Sequence, residues 1–172
     1  MTGLRIARGG ARIAAAPLPS PIPGVAAEAW TRFVRALRQA DPGAISPQGF
    51  LGCFEIHPRR LAELGDLGDG FRVATAARDE GCVWRCDFAC GTQAGFLASF
   101  IAQYAALVKS VRGHYGEVAR GAVAIPAGVT LSGALAILHR AGRGGLAGWT
   151  KRKLPETAAL FDRANGIFEV TR

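Results

Sequence analysis

"TQAGFLASFIAQYAALVKSVRG", Thr92–Gly113, is the stretch that decides the fold class. Its apolar residues Phe96, Leu97, Phe100, Ile101, Tyr104, Leu107, Val108 and Val111 recur at three- and four-residue intervals, which brings side chains to one face of an α-helix. Thr92 suits the N-cap, where a hydroxyl accepts from a free first-turn amide. The spacing predicts one long helix from about Gln93 to Gly113 at the centre of the domain. A cofactor box can use such aromatics, but core packing accounts for them without one.

The flanking segments are also helical. Between Val25 and Ala40, Trp30, Phe33, Val34 and Leu37 mark an amphipathic helix with Arg32, Arg35 and Arg38 mostly on its other side. Asp41-Pro42-Gly43 and Ser46-Pro47-Gln48-Gly49 are turn chemistry, so a loop with two sharp bends follows. His57-Pro58 opens a short helix through Leu64, because proline is tolerated in a first turn. Thr130 or Ser132 caps a helix carrying Leu131, Leu135 and Leu138, which Gly142 ends after His139 and Arg140. A short helix starts near Gly145, and another runs from Pro155 to about Ala164 before Asn165-Gly166 turns the chain. There is no alternating strand pattern and no long internal repeat. The expected fold is mainly α.

The 172 residues, 49% of them hydrophobic, suffice for one substantial core. Four of the nine prolines fall in the first 24 residues, which form an extended arm suited to lying across a neighbouring subunit. The expected organisation is an arm over 1–24 and a single helical domain over 25–172. The apolar run near the N-terminus is broken by Gly9, Gly10, Arg12 and Pro17, so no secretory signal is expected, and no run of 18 uncharged apolar residues predicts a membrane span.

A formal net charge of +8 favours anionic partners such as nucleic acid, acidic glycans or cell-wall polymers. No zinc finger, aromatic RNA-binding strand or basic heptad helix is present, which puts nucleic acid behind the glycans. Cys82, Cys86 and Cys90 lie at four-residue intervals with Cys53 upstream. They read as buried small hydrophobes, with disulfides or a zinc site as open alternatives. Asp66 and Asp69 lack the remainder of a calcium loop, and Ser132-Gly133 lacks the flanks of a nucleophile elbow. Lys151-Arg152-Lys153 reads as a solvated face or an anion-binding patch. No metal or cofactor is expected.

Two separated stretches resemble a family. "SPQGFLGCFEIHPRRLAELG", from Ser46, is similar to the glycine, aromatic, Leu, Gly, aromatic, Gln segment of lysozyme-like and lytic-transglycosylase-like peptidoglycan hydrolases of phage particles. "VTLSGALAILHRAGRGGLAGW", from Val129, resembles a later helix of that group, where a Ser-Gly-Leu-Leu-Ala pattern precedes His and a Gly-Gly pair. The Thr92 stretch lies between them, where that fold has its long central helix, so the resemblance spans Trp30 to Gly166 in order. It implies a lysozyme-like helical domain.

The family's catalytic acid is a glutamate at the end of its first long helix, and glycoside cleavage needs such a protonated carboxyl to protonate the leaving oxygen. This chain has no glutamate between Glu28 and Glu55, and Leu37 or Gln39 occupies the position. Asp41 lies close by, but reads as a helix-ending residue. Glu55 stands where the family has Gln. A desolvated Glu55 among Phe50, Leu51, Phe54 and Ile56 has the surroundings of a general acid, whereas a salt bridge to Arg59 or Arg60, or a hydrogen bond to backbone groups of the loop, gives it a structural role.

Three functions are therefore expected in order: a glycan-binding or structural part of a phage-like particle that has lost its acid; an active muramidase or lytic transglycosylase using Glu55 or Asp41; and a basic nucleic-acid-binding protein. Gln48, Phe50, Phe54, Glu55, Tyr104 and His139 are the expected glycan contacts, with Trp30, Trp84 and Trp149 as further aromatics able to stack on sugars. Expected partners are a bacterial cell-wall or surface glycan, other particle subunits through the arm, and further copies of the chain.

Overall fold

The computed structural model describes residues 17–47, 49–64, 93–151 and 154–169. Six helices occupy them: α1 Ala27–Leu37, α2 Pro58–Glu63, α3 Gln93–Ala98, α4 Phe100–Ala119, α5 Leu131–Ala147 and α6 Pro155–Ala164. The only β-pairing among the described residues is two isolated antiparallel bridges, Ile45 to Leu51 and Leu51 to Ile56. The chain is mainly α, and none of these helices is long and apolar enough to cross a membrane. Trp84, Cys82, Cys86, Cys90, Asp66, Asp69, Gln48, Arg152 and Lys153 lie outside the described residues.

α1 buries Trp30, Phe33, Val34 and Leu37, the face its spacing predicts. Trp30 and Phe33 pack at 5.6 Å, and Phe33 meets the ring of Phe168 edge-on at 5.1 Å. The end of the arm belongs to this packing. Leu18 donates its amide to Thr31 Oγ1 at 2.8 Å, and Ile22 is 2% exposed. Residues 18 to 22 of the expected arm are therefore bound to the helical domain, and residues 1–16 lie outside the described residues.

The helix expected from Gln93 to Gly113 is two helices. Ser99 adopts an extended conformation (φ −108°, ψ 100°) and its Oγ accepts from Ala102 N at 3.2 Å. A serine that caps a new helix competes with continuing the old one, which explains the break. α4 then runs six residues beyond the expected end. Its buried face is Ala102, Gln103, Ala106, Leu107, Ser110, Val111 and His114, rotated from the large-residue stripe, and Ile101 is 63% exposed.

The rotation follows from Gln103. Its side chain, 0% exposed, accepts from Cys53 N at 2.9 Å through Oε1. Its Nε2 lies 2.9 Å from Pro42 O, 3.0 Å from Phe96 O and 3.1 Å from Leu97 O. A buried amide is stable only when its donors and acceptor are satisfied, and this one joins α4 to α3 and to the loop before α2. Gly52 (φ 73°) lets the loop approach so closely, since a Cβ there would collide with Gln103 Oε1.

The first half of α5 is enclosed on all sides, every residue from Leu131 to Leu138 being buried. It packs chiefly on α6, and also on α4. The central position expected for the Gln93 helix thus belongs to α5, whose small residues admit neighbours on every side. A Cβ on Gly133 would strike Asn165 Oδ1, the atom that accepts from Thr130 N and Thr130 Oγ1 at 3.0 and 2.8 Å. Thr130 also caps α5, accepting from Gly133 N at 3.2 Å. Gly142 (φ 65°, ψ −168°) interrupts the helix where its end was expected, and the short helix expected from Gly145 continues as its second piece.

Gln103→Leu would leave the buried Cys53 amide without its acceptor, at about 2 kcal/mol or more, and should lower the urea midpoint clearly. Ile101→Ser removes an exposed member of the stripe and should stay within about 0.5 kcal/mol of the parent. The reverse ranking in urea titrations would refute the rotated face.

Candidate functional site

The loop between α1 and α2 closes on itself through Leu51 N to Ile56 O and Ile56 N to Leu51 O, both 3.0 Å. Glu55 (φ 47°) lies in the left-handed region, the only described non-glycine residue with positive φ. Such a conformation is unfavourable by about 1–3 kcal/mol and persists where surrounding contacts hold it. Two contacts from α5 do so. His139 Nε2 lies 2.7 Å from Phe54 O, and Arg140 Nη1 lies 2.9 Å from Glu55 Oε2.

The Arg140–Glu55 pair is enclosed, with side chains 7% and 17% exposed. Its approach is Coulombic, because Nη1 is not aligned to donate a hydrogen bond. The guanidinium also stacks over Phe50 at 4.1 Å, and His57 meets that ring edge-on at 5.2 Å. Glu55 is thus held by Arg140, not by Arg59 or Arg60 as its sequence neighbourhood suggests. Those two pair with Glu63 at 3.4 and 3.0 Å.

A cleft of about 820 Å³ opens between α2, α4 and the kinked part of α5. Phe50, His57, Arg59, Arg60 and Glu63 line one side, His114 and Glu117 come from α4, and Leu138 to Gly144 form the remainder. The kink at Gly142 places Arg143 beside Glu117, with Nη2 to Oε1 at 2.9 Å and Nε to Oε2 at 3.2 Å. Hydrogen bonding from Arg143 is the main reason the Glu117 carboxyl is held below its ordinary value. Arg60 crosses to α4, donating to Ser110 Oγ at 3.0 Å and Ser110 O at 3.2 Å.

All three histidines of the chain line this cleft. His139 is half-buried in surface terms yet enclosed by protein, and loss of hydration pushes it down to about 4 against the pull of the Phe54 carbonyl. Burial, then Arg60 and His139, push His114 to about 4 despite Glu117. His57 is lowered by burial and Arg59, and its Nδ1 accepts from Arg59 N, capping α2. Among the described residues no cluster of three or more His, Cys, Asp or Glu could hold a metal ion. Cys53 is a free buried thiol that burial pushes up to about 11.

The expected site residues separate. Phe50 and His139 line the cleft, and Glu55 supports it from behind through Arg140. Phe54 is fully buried against Phe100 and offers no face to a ligand. Tyr104 accepts from Trp30 Nε1 at 2.9 Å and stacks on Phe100, away from the cleft. Trp30 is core, as is Trp149, packed 4.9 Å from Phe161. Asp41 is exposed in a turn closed by Ala44 N to Asp41 O, away from the cleft lining. Gln39 donates its backbone amide to Cys53 O at 2.8 Å, while its Nε2 is buried without a hydrogen bond.

His114, Glu117 and Arg143 were not expected. The available signal was the His-to-Glu spacing of three residues near the end of α4, which places both on one helical face. No family model, curated protein or solved structure matches this chain.

Because the folded values of His114 and His139 lie near 4, below the ordinary 6.5, the unfolded chain takes up protons first on acidification. Stability present above about pH 6.5 should be lost as pH falls towards 4, at about 1.4 kcal/mol per pH unit of lowering for each ring. Urea midpoints between pH 7 and 4 should fall for the parent and fall less for His114→Phe. Identical slopes would contradict a buried neutral His114.

Proposed function

We propose that this chain is a lysozyme-like domain of a phage-like particle that binds bacterial cell-wall glycan without cutting it. One observation carries the reading: the carboxylates lining the cleft, and Glu55 behind it, each face arginine. Glu55 faces Arg140, Glu63 faces Arg59 and Arg60, and Glu117 faces Arg143. A glycosidase needs one carboxyl that keeps a proton for the leaving oxygen. Anions engaged by guanidinium groups serve the opposite purpose, fixing cations and each other along a binding surface.

The resemblance supplies the ligand class. Both segments that carry it line the cleft, through Phe50 to Glu63 and Leu138 to Gly144, beside His114 and Glu117 of α4. Gln39 stands near the place of the family's acid, and an amide donates no catalytic proton. Phe50, which lines the cleft, places an aromatic side chain beside polar ones, a combination suited to a sugar. The arm before Leu18 supplies a contact to other particle subunits.

The full chain should co-sediment with purified peptidoglycan sacculi and leave their turbidity and reducing ends unchanged over hours. Clearing that disappears in Glu55→Gln or Asp41→Asn would establish the hydrolase reading instead. Retention on DNA that collapses with modest added salt, with no binding to sacculi, would establish the nucleic-acid reading.

A further inference from the structure

On the α2 side of the cleft one imidazole has its proton position fixed by the fold. His57 Nδ1 accepts from Arg59 N at 3.1 Å, so in the neutral ring the hydrogen is on Nε2. Burial, and then Arg59, hold the ring below its ordinary value against Glu63, which keeps it neutral at physiological pH. Nε2 has no hydrogen-bond partner among the described residues. The unpaired nitrogens shut away from solvent are Gln39 Nε2, His114 Nδ1 and Arg140 Nη1, and this one is not among them. His57 is half-buried and lines the cleft, so its Nε2–H is a free donor within reach of solvent.

We propose that His57 determines specificity in the cleft by giving its Nε2–H to the carbonyl oxygen of a neutral amide on the ligand, with Phe50 beside the carbon that the amide carries. This rests on the glycan-binding reading and names the part of the polymer that is recognised. Peptidoglycan presents such carbonyls both on its acetamido sugars and in its peptides. The chemistry is the same, and soluble probes separate the two sources.

The surroundings select that group. A lone N–H donor needs an acceptor, which an ammonium does not offer. Arg59 and Arg60 are both engaged by Glu63, at 3.4 and 3.0 Å, so the guanidinium groups on this side are already matched to an anion. A hydroxyl accepts but brings no apolar part. Phe50, half-buried with its ring 5.2 Å from that of His57, suits the methyl or carbon chain of an amide. The donor is also held before a ligand arrives. Ile56 on one side is paired through both its amide and its carbonyl with Leu51, Pro58 on the other begins α2, and Arg140 stacks on Phe50 at 4.1 Å.

Calorimetric titration of the full chain compares three probes: N-acetylglucosamine tetramer, cellotetraose with hydroxyls in place of the acetamido groups, and acetyl-D-alanyl-D-alanine amide as a neutral peptide. His57→Asn keeps a side-chain acceptor for the α2 cap and removes the ring donor. Tetramer binding is expected to weaken about tenfold in the variant, the loss of one hydrogen bond, with cellotetraose unaffected. The same loss confined to the peptide supports the donor and assigns the carbonyl to the peptide portion. Side-chain nitrogen NMR of the parent should place the His57 proton on Nε2 and show that signal move when the amide probe binds, which a purely structural cap would not do. Circular dichroism melting checks the fold of the variant, and the NMR result decides if the variant is unfolded. A proton on Nδ1, parent-like affinity of the folded variant for both amide probes, or sacculus binding with no binding of either, overturns the assignment and leaves the wider reading supported by co-sedimentation. Failure of the parent to bind sacculi and every soluble probe overturns both.

Discussion

The buried amide of Gln103 is the contact on which the arrangement turns. It replaces water for an amide on the α1–α2 loop, a carbonyl on the same loop and two carbonyls at the end of α3. An apolar side chain there would pack, but would leave those backbone groups without partners in the interior. Glycine at position 52 is the corresponding requirement on the loop side, because only a residue without Cβ lets the backbone come so near. The rotation of α4 and the position of the loop are consequences of one polar group placed in an apolar face, and the break at Ser99 leaves the end of α3 within its reach.

From that loop the order passes to α5. The Phe54 carbonyl and the Glu55 carboxylate are held by adjacent residues, His139 and Arg140, at the last turn before the Gly142 kink. The same turn that stabilises an unfavourable Glu55 conformation presents the floor of the cleft. Breaking the ion pair would leave a guanidinium enclosed without its counter-charge, which is more damaging than never having had the pair. Fold and site therefore share residues, and a conserving substitution at either end reaches both.

Periodicity made much of the helical architecture legible. α1, α2 and α6 follow from the spacing of their apolar residues and from Pro58 and Pro155 in their first turns. The phase of α4 was hidden, because Ala102 and Ala106 weigh little in a pattern dominated by Phe100, Ile101 and Tyr104. The enclosure of the first half of α5 was hidden as well, since a segment buried on all sides has no polar face to set its period. Of the site, Phe50, Glu55 and His139 were legible as a neighbourhood. Their partners were not, because Arg140 and Phe54 lie 85 and more residues from what they touch, and local pattern carries no information about such pairs.

The charge distribution also bears on the proposal of binding without cleavage. A general acid works by being neutral in a place where a proton is wanted, and it is made so by burial away from cations. At this cleft burial falls on the histidines, which it renders neutral, while each carboxylate is met by a guanidinium. The result is a surface of neutral imidazoles and paired ions, with donors and acceptors fixed in position and little unbalanced charge. Such a surface discriminates among uncharged polar ligands by direction of hydrogen bonding. The net positive charge of the chain acts at longer range, favouring encounter with anionic partners.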